Sequence, residues 1–207
     1  MKLKVCGMKY PDNIREVARL QPDFMGFIFY TRSRRYVGEA FDLKNLIGLP
    51  RKINTVGIFV NSTKAYVLHK AMKYQLDYVQ LHGDESVDFC REVSASLKVI
   101  KAFGLHDGFD FGLLERYKPY CDYFLFDTKT PGYGGSGKRF NWNQLKKYDN
   151  EVPFFLSGGI SPDNAGQIMK LKGLNLAGID VNSRFEVEPG LKDIDKLKRL
   201  KNELPGQ

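Results

Sequence analysis

Eight short apolar runs, at residues 3–6, 24–29, 55–60, 78–81, 99–103, 123–127, 153–157 and 176–181, alternate along this chain with helix-like segments. Strand-like runs that recur roughly every 20 to 30 residues, with room for a helix in each gap, are βα units. Eight such units predict an α/β protein built as a single closed (β/α)8 TIM barrel covering residues 1–207, at the short end of that fold's size range. An open doubly wound sheet is the alternative, but it would usually carry fewer strands and a nucleotide fingerprint after the first of them.

The gaps read less uniformly than the strands. Pro11 and Asp12 open a helix with Ile14, Val17 and Ala18 on one face, and Ser161-Pro162-Asp163-Asn164 opens another with Ala165, Ile168 and Met169 inward. Residues 104–119 make the weakest helix, because Gly108 and Gly112 interrupt it.

In a barrel of parallel strands all C-terminal ends open onto one mouth, so residues far apart in sequence can face the same small molecule. Cys6 ends the first run and Asp127 the sixth, which makes this thiol and carboxylate the candidate acid–base pair. The other two cysteines, Cys90 and Cys121, read as small reduced core residues. Three thiols without Cys-x-x-Cys spacing imply neither a disulfide framework nor a zinc cluster.

The formal charge of +8 suits an anionic partner, yet the lysines are scattered over many faces, and the tail from Lys192 to Lys201 also holds Asp193 and Asp195. A nucleic-acid binder would concentrate basic and aromatic residues in a recognisable motif, which is missing here, so a small phosphorylated or carboxylated substrate is the expected partner. No run approaches a membrane span and the start, Met1-Lys2-Leu3-Lys4, is unlike a signal peptide; a soluble cytoplasmic protein with no membrane partner is expected.

Two glycine-rich stretches bear on ligand binding. Gly132-Tyr133-Gly134-Gly135-Ser136-Gly137-Lys138 resembles a nucleotide phosphate loop, but Arg139 stands where a Ser or Thr is needed and the stretch does not join a strand directly to a helix. It reads instead as a lid over the mouth. Gly158-Gly159 after the seventh run and Asn182-Ser183-Arg184 after the eighth fall where barrels commonly hold phosphate on bare backbone N–H groups.

Lys4-Val5-Cys6-Gly7-Met8, Ser33-Arg34-Arg35-Tyr36-Val37, Val79-Gln80-Leu81-His82-Gly83-Asp84-Glu85, Phe126-Asp127 with its Gly-rich loop, Leu156-Ser157-Gly158-Gly159-Ile160 and Gly178-Ile179-Asp180-Val181-Asn182-Ser183 occur in this order over almost the whole chain. Together they resemble the phosphoribosylanthranilate isomerase family of tryptophan biosynthesis.

The resemblance implies an Amadori rearrangement of N-(5-phosphoribosyl)anthranilate to the carboxyphenylamino-deoxyribulose phosphate, with no metal or organic cofactor. It makes Asp127 the general acid that opens the sugar ring and Cys6 the base that takes the neighbouring carbon's proton, which calls for a raised carboxyl pKa and a lowered thiol pKa. Lys4 and Lys9 are close to Cys6 in sequence, which by itself does not locate their charges. The family pattern places Arg35 on the anthranilate carboxylate, Gly158, Gly159, Asn182 and Ser183 around the phosphate, and Asp180 either on a sugar hydroxyl or under the strand-eight turn. His82 either reaches the mouth or is a structural hydrogen-bonder.

Two departures stand out: Arg34 where many members have proline, and Asn182-Ser183-Arg184 where many have Ser-Ser-Gly, which offers Arg184 as a direct charge for phosphate. Other phosphosugar barrels remain as alternatives. An indole-glycerol-phosphate synthase would be expected to carry an N-terminal extension and a lysine on an early strand, and a histidine-pathway aminoaldose isomerase an aspartate in place of Cys6. A catalytically silent metabolite-binding barrel is the third reading. The expected solution state is monomer or homodimer.

Overall fold

Eight parallel strands close into a barrel in the computed structural model, which describes residues 1–128, 141–168, 171 and 173–204. They are β1 (Lys2–Val5), β2 (Phe24–Ile28), β3 (Asn54–Phe59), β4 (Tyr78–Leu81), β5 (Lys98–Leu105), β6 (Tyr123–Thr128), β7 (Phe154–Leu156) and β8 (Leu176–Val181), and β8 pairs back onto β1. The Gly-rich stretch 132–138, with Arg139, and Met169 lie outside the described residues.

Regular helices fill only some of the gaps. α1 (Pro11–Arg19), α2 (Lys64–Tyr74), α3 (Val87–Ser94), α4 (Ala165–Ile168) and α5 (Ile194–Glu203) follow β1, β3, β4, β7 and β8. Pro11 starts α1, while Thr63, Ser86 and Asp193 cap α2, α3 and α5 by accepting the N–H of Tyr66, Phe89 and Lys196. The gaps after β2, β5 and β6 instead hold short 3-10 turns at Leu43–Asn45, Phe111–Arg116 with Lys118–Tyr120, and Trp142–Lys147. Between β5 and β6 the cause is local: Gly108 sits at φ +81°, Asp110 accepts the N–H of Gly112, and Pro119 supplies no donor, so an i→i+4 ladder has no uninterrupted run.

A repeat in the sequence sets the register at the barrel floor. Asp23, Asp77 and Asp122 stand directly before β2, β4 and β6, and each is followed by an aromatic residue, Phe24, Tyr78 or Tyr123. Their carboxylates accept the N–H of Leu3, Thr55 and Val99 at 2.8, 2.7 and 2.8 Å. Their own N–H groups donate to the carbonyls of the same three residues. Each such reciprocal pair pins one strand to its neighbour.

The aromatics after these aspartates point into the barrel and plug its floor. Phe24 lies 5.4 Å from Tyr78 and 5.1 Å from Phe155 in edge-to-face contacts, and Tyr123 is 5.1 Å from Phe155. Lys2 donates to the Tyr123 hydroxyl at 2.5 Å. Above them Ile28, Val56, Ile58, Ile100, Ala102 and Leu125 complete the inner core, whereas the larger outer core, with Phe126, Phe154 and Tyr148, fills the space under the connecting segments. Each buried side chain of this size contributes on the order of 1.5–3 kcal/mol. With the floor closed by apolar rings, polar inward positions are confined to the other end.

After β8 the chain forms a small hairpin of β9 (Glu186–Glu188) and β10 (Leu191–Lys192) before α5. Asn13 of α1 ties it down, accepting from the N–H of Lys192 and donating to its carbonyl at 2.7 and 3.0 Å.

Candidate active site

Alternation along β1 turns Lys4 and Cys6 to the same inward face. Register across the β1–β8 seam sets Asp180 directly opposite Lys4. The result is a buried ion pair, Lys4 Nζ to Asp180 Oδ1 at 2.7 Å, with the second carboxylate oxygen accepting from Ser157 Oγ at 3.2 Å. Asp180 is therefore the counter-ion of Lys4, with β7 supporting it.

Cys6 lies one residue beyond β1, where its N–H still bonds the Val181 carbonyl at 2.9 Å. Burial pushes the thiol pKa up; Lys4 and Lys192 pull it down and Asp180 pushes it further up, and the net direction is upward. This direction is opposite to the lowered value that the resemblance implies. Lys4 is paired with Asp180, and Lys192 shares Glu186 with Arg35; the pull of these lysines on the sulfur does not overcome its desolvation.

Asp127 sits on the sixth strand one residue before its end, opposite Gly104 of β5. Its Oδ1 accepts the N–H of Thr128 at 2.7 Å, and Oδ2 lies 3.5 Å from His82 Nε2. The Gln80 side-chain amide donates to His82 Nδ1 at 2.6 Å, which leaves the ring hydrogen on Nε2, facing the carboxylate. His82 thus reaches the rim and faces the Asp127 carboxylate. Gln80 Oε1 is buried without a partner among the described residues.

Gly158 and Gly159 both have left-handed φ, +83° and +69°, and a Cβ on Gly158 would lie 2.5 Å from Thr128 Oγ1 and 2.8 Å from Asp127 Oδ1. Only glycine lets β7 turn this close to the acid. No hydrogen bond among the described residues uses the N–H of Gly158 or Gly159.

Arg35, in the loop after β2, is committed more deeply than the sequence indicated. Its Nε donates to both oxygens of Glu186 at 2.8 and 3.0 Å, and Nη2 donates to Oε2 at 2.6 Å. The Nη1 amino group lies outside that fork. Glu186 also accepts from Lys192 Nζ at 2.6 Å and Gly190 N–H at 3.0 Å, and Lys192 Nζ donates to Asn182 Oδ1 at 2.7 Å. Burial alone would raise the Glu186 carboxyl pKa; Arg35 and Lys192 hold it below the usual range. Asn182 thereby spends its side chain inside the protein, and Ser183 begins a short 3-10 turn, Ser183–Phe185.

These residues form a belt along one rim. Arg35 and Asn182 both close over Gly7, whose absent Cβ would lie 2.8 Å from Arg35 Cδ and 2.7 Å from Asn182 Oδ1. From Gly7 the belt passes through Cys6 and Lys4 to Asp180, through Ser157 to Gly158, and from Gly158 to Asp127 and His82. A recess of about 840 Å³ opens beside Asp127 and Thr128, bounded by His82, Gly104, Phe109 and Arg116. The sequence alone assigns no role to Lys4, Lys192, Glu186, Ser157 or Gln80. Lys4 alone carried a local signal, a lysine two positions before Cys6 in an apolar strand.

Residues 3–203 match the family described as N-(5'-phosphoribosyl)anthranilate (PRA) isomerase. The N-(5'-phosphoribosyl)anthranilate isomerase of Parabacteroides distasonis is 50% identical over 207 residues, covering 97% of this chain and 91% of the relative. A phosphoribosyl anthranilate isomerase solved in complex with reduced 1-(o-carboxyphenylamino)-1-deoxyribulose 5-phosphate superposes with TM-score 0.85 at 30% identity, over 98% of both chains. Engineered monomers of the dimeric enzyme from Thermotoga maritima superpose with TM-score 0.84 at 28% identity, over 98% of this chain and 97% of that one.

Proposed function

The chain belongs to the N-(5'-phosphoribosyl)anthranilate isomerase family of tryptophan biosynthesis, and from that premise we propose how its rim carries out the isomerisation. The synthase, histidine-pathway and silent-barrel readings give way to the match over residues 3–203.

Asp127 gives its proton to the furanose ring oxygen, and the ring opens to a protonated Schiff base. Cys6 then takes the proton from the adjacent sugar carbon, leaving the enolamine, which tautomerises to the ketose product. One proton is given and one taken, so no redox partner or cofactor enters. Because burial pushes the Cys6 thiol up, the iminium charge of the opened substrate completes the base: a cation arriving at the sulfur favours thiolate. The observation that carries this reading is the buried Lys4–Asp180–Ser157 network, which joins β1, β8 and β7 beneath the strand ends that bear Cys6 and Gly158, with Gly158 turning tightly against Asp127.

The phosphate belongs on the backbone at Gly158 and Gly159, with Ser183 and Arg184 across the β7–β8 gap. The substrate carboxylate takes the Nη1 side of Arg35, with Glu186 holding the rest of the guanidinium in plane. The proposal includes cytoplasmic location and a monomer or homodimer, the dimer being the state described for the Thermotoga maritima relative.

Loss of phosphoribosylanthranilate fluorescence on adding purified protein tests the activity directly, and an unchanged signal overturns it. Gly158→Ala should cost about 1–3 kcal/mol in thermal stability, from the left-handed φ, and also lower kcat, because the new methyl displaces the Asp127 carboxylate. A variant destabilised to that extent with native kcat would remove Gly158 from the acid's support.

A further inference from the structure

Lys4 is fully buried, its ammonium donates to Asp180 Oδ1 at 2.7 Å, and it shares the inward face of β1 with Cys6 two residues on. A buried ion pair is weak evidence of stabilisation, since apolar residues of similar volume commonly serve as well. Its geometry here has a direction. Ser157 fixes one oxygen of Asp180, Asp180 fixes Lys4, and the period of β1 sets Lys4 on the same inward face as Cys6.

We propose that Lys4 is a positioning residue for the base, setting how readily the buried Cys6 thiol ionises, with Asp180 as the opposing charge that keeps it neutral until substrate arrives. The inference rests on the reading of Cys6 as the base. It assigns the strand-one lysine and the strand-eight aspartate opposite effects on one thiol. The charged groups around that thiol are Lys4 from β1, Lys192 from β10 and Asp180 from β8, while Gly26 and Ile58 contribute only apolar surface; a buried cation favours a thiolate and a carboxylate opposes it. Glu186, further along the same rim, is shared by Arg35 and Lys192.

Site-resolved alkylation of Cys6 by iodoacetamide, quantified by mass spectrometry across pH, reads the thiolate fraction without any substrate. Lys4→Met should raise the alkylation midpoint by about one unit or more, roughly tenfold slower reaction at neutral pH, and move the basic limb of kcat/KM the same way. Asp180→Asn should shift the midpoint downward, because the opposing carboxylate is then gone while the ammonium remains. A purely structural pair would move both variants alike, through loosened packing. Midpoints shifted in the same direction, or an unchanged midpoint in folded Asp180→Asn protein, overturn the proposal. If Lys4→Met does not fold, the Asp180→Asn arm decides alone. Absence of isomerase activity in the unaltered protein would sink the reading of Cys6 as base, while the alkylation midpoints would still report on the lysine.

Discussion

Cys6→Ser should lower kcat by on the order of 10² to 10⁴ with little change in substrate affinity, and Asp127→Asn should do the same. Serine keeps the size of the side chain but its hydroxyl ionises far above any working pH, so Lys4 and the substrate iminium together cannot make it a base. Asparagine keeps the shape of Asp127 and can still face Thr128 and His82, but has no carboxyl proton to give the ring oxygen. The two losses should also be far from additive, because removing either group stalls the same sequence of proton transfers. Arg35→Ala separates binding from chemistry. It should weaken substrate binding by about 2 kcal/mol or more while kcat changes less, if the carboxylate pair is desolvated as its surroundings indicate. Steady-state kinetics of the three variants, with thermal melts to show that each is folded, decides the matter: a Cys6→Ser enzyme with near-native kcat places the base elsewhere.

Glu186→Ala should destabilise the fold by about 3–5 kcal/mol. Glu186 is 4% exposed and is the shared anion of Lys192, which is fully buried, and Arg35. Removing it strands a buried ammonium and a guanidinium side by side. For a protein of this size the loss corresponds to a fall in Tm of roughly 6–20 °C. The pH dependence has a definite sign. The folded-state pKa of Glu186 lies below its ordinary value, so its contribution is fully present above the unfolded pKa of about 4.3 and is lost as pH falls through the folded value. The stability gap between the two proteins, measured by denaturant unfolding, should therefore be widest at neutral pH and narrow in acid. A gap that is already small at pH 7 would mean that Lys192 escapes to water or deprotonates when its partner is removed.

Much of the barrel could be read along the chain because it rests on local patterns. The strand runs lie within a residue or two of their structural positions, and the gap weakened by Gly108 and Gly112 indeed lacks a regular helix. The gaps after β2 and β6 were less legible. A turn of 3-10 or α-helix is chosen there by how the segment packs on the barrel, and their polar, mixed sequences do not express that choice. The Asp-aromatic repeat before β2, β4 and β6 was present in the sequence and passed unnoticed. Its meaning appears only when the carboxylates are seen bonding across to Leu3, Thr55 and Val99.

By itself the sequence determined the number and order of the strands and the end of the barrel at which Cys6, Asp127, Gly158 and Asp180 would emerge, because both follow from short-range periodicity and parallel connection. Only the tertiary structure decided which charges those residues would meet. Lys4 and Asp180 are 176 positions apart, and Arg35 and Glu186 are 151 apart. Neither pairing exists until the β8–β1 seam closes and the β9–β10 hairpin folds back over the rim. The direction of the Cys6 pKa was decided there too, since desolvation and two lysines paired with carboxylates are properties of the closed barrel and of no local segment.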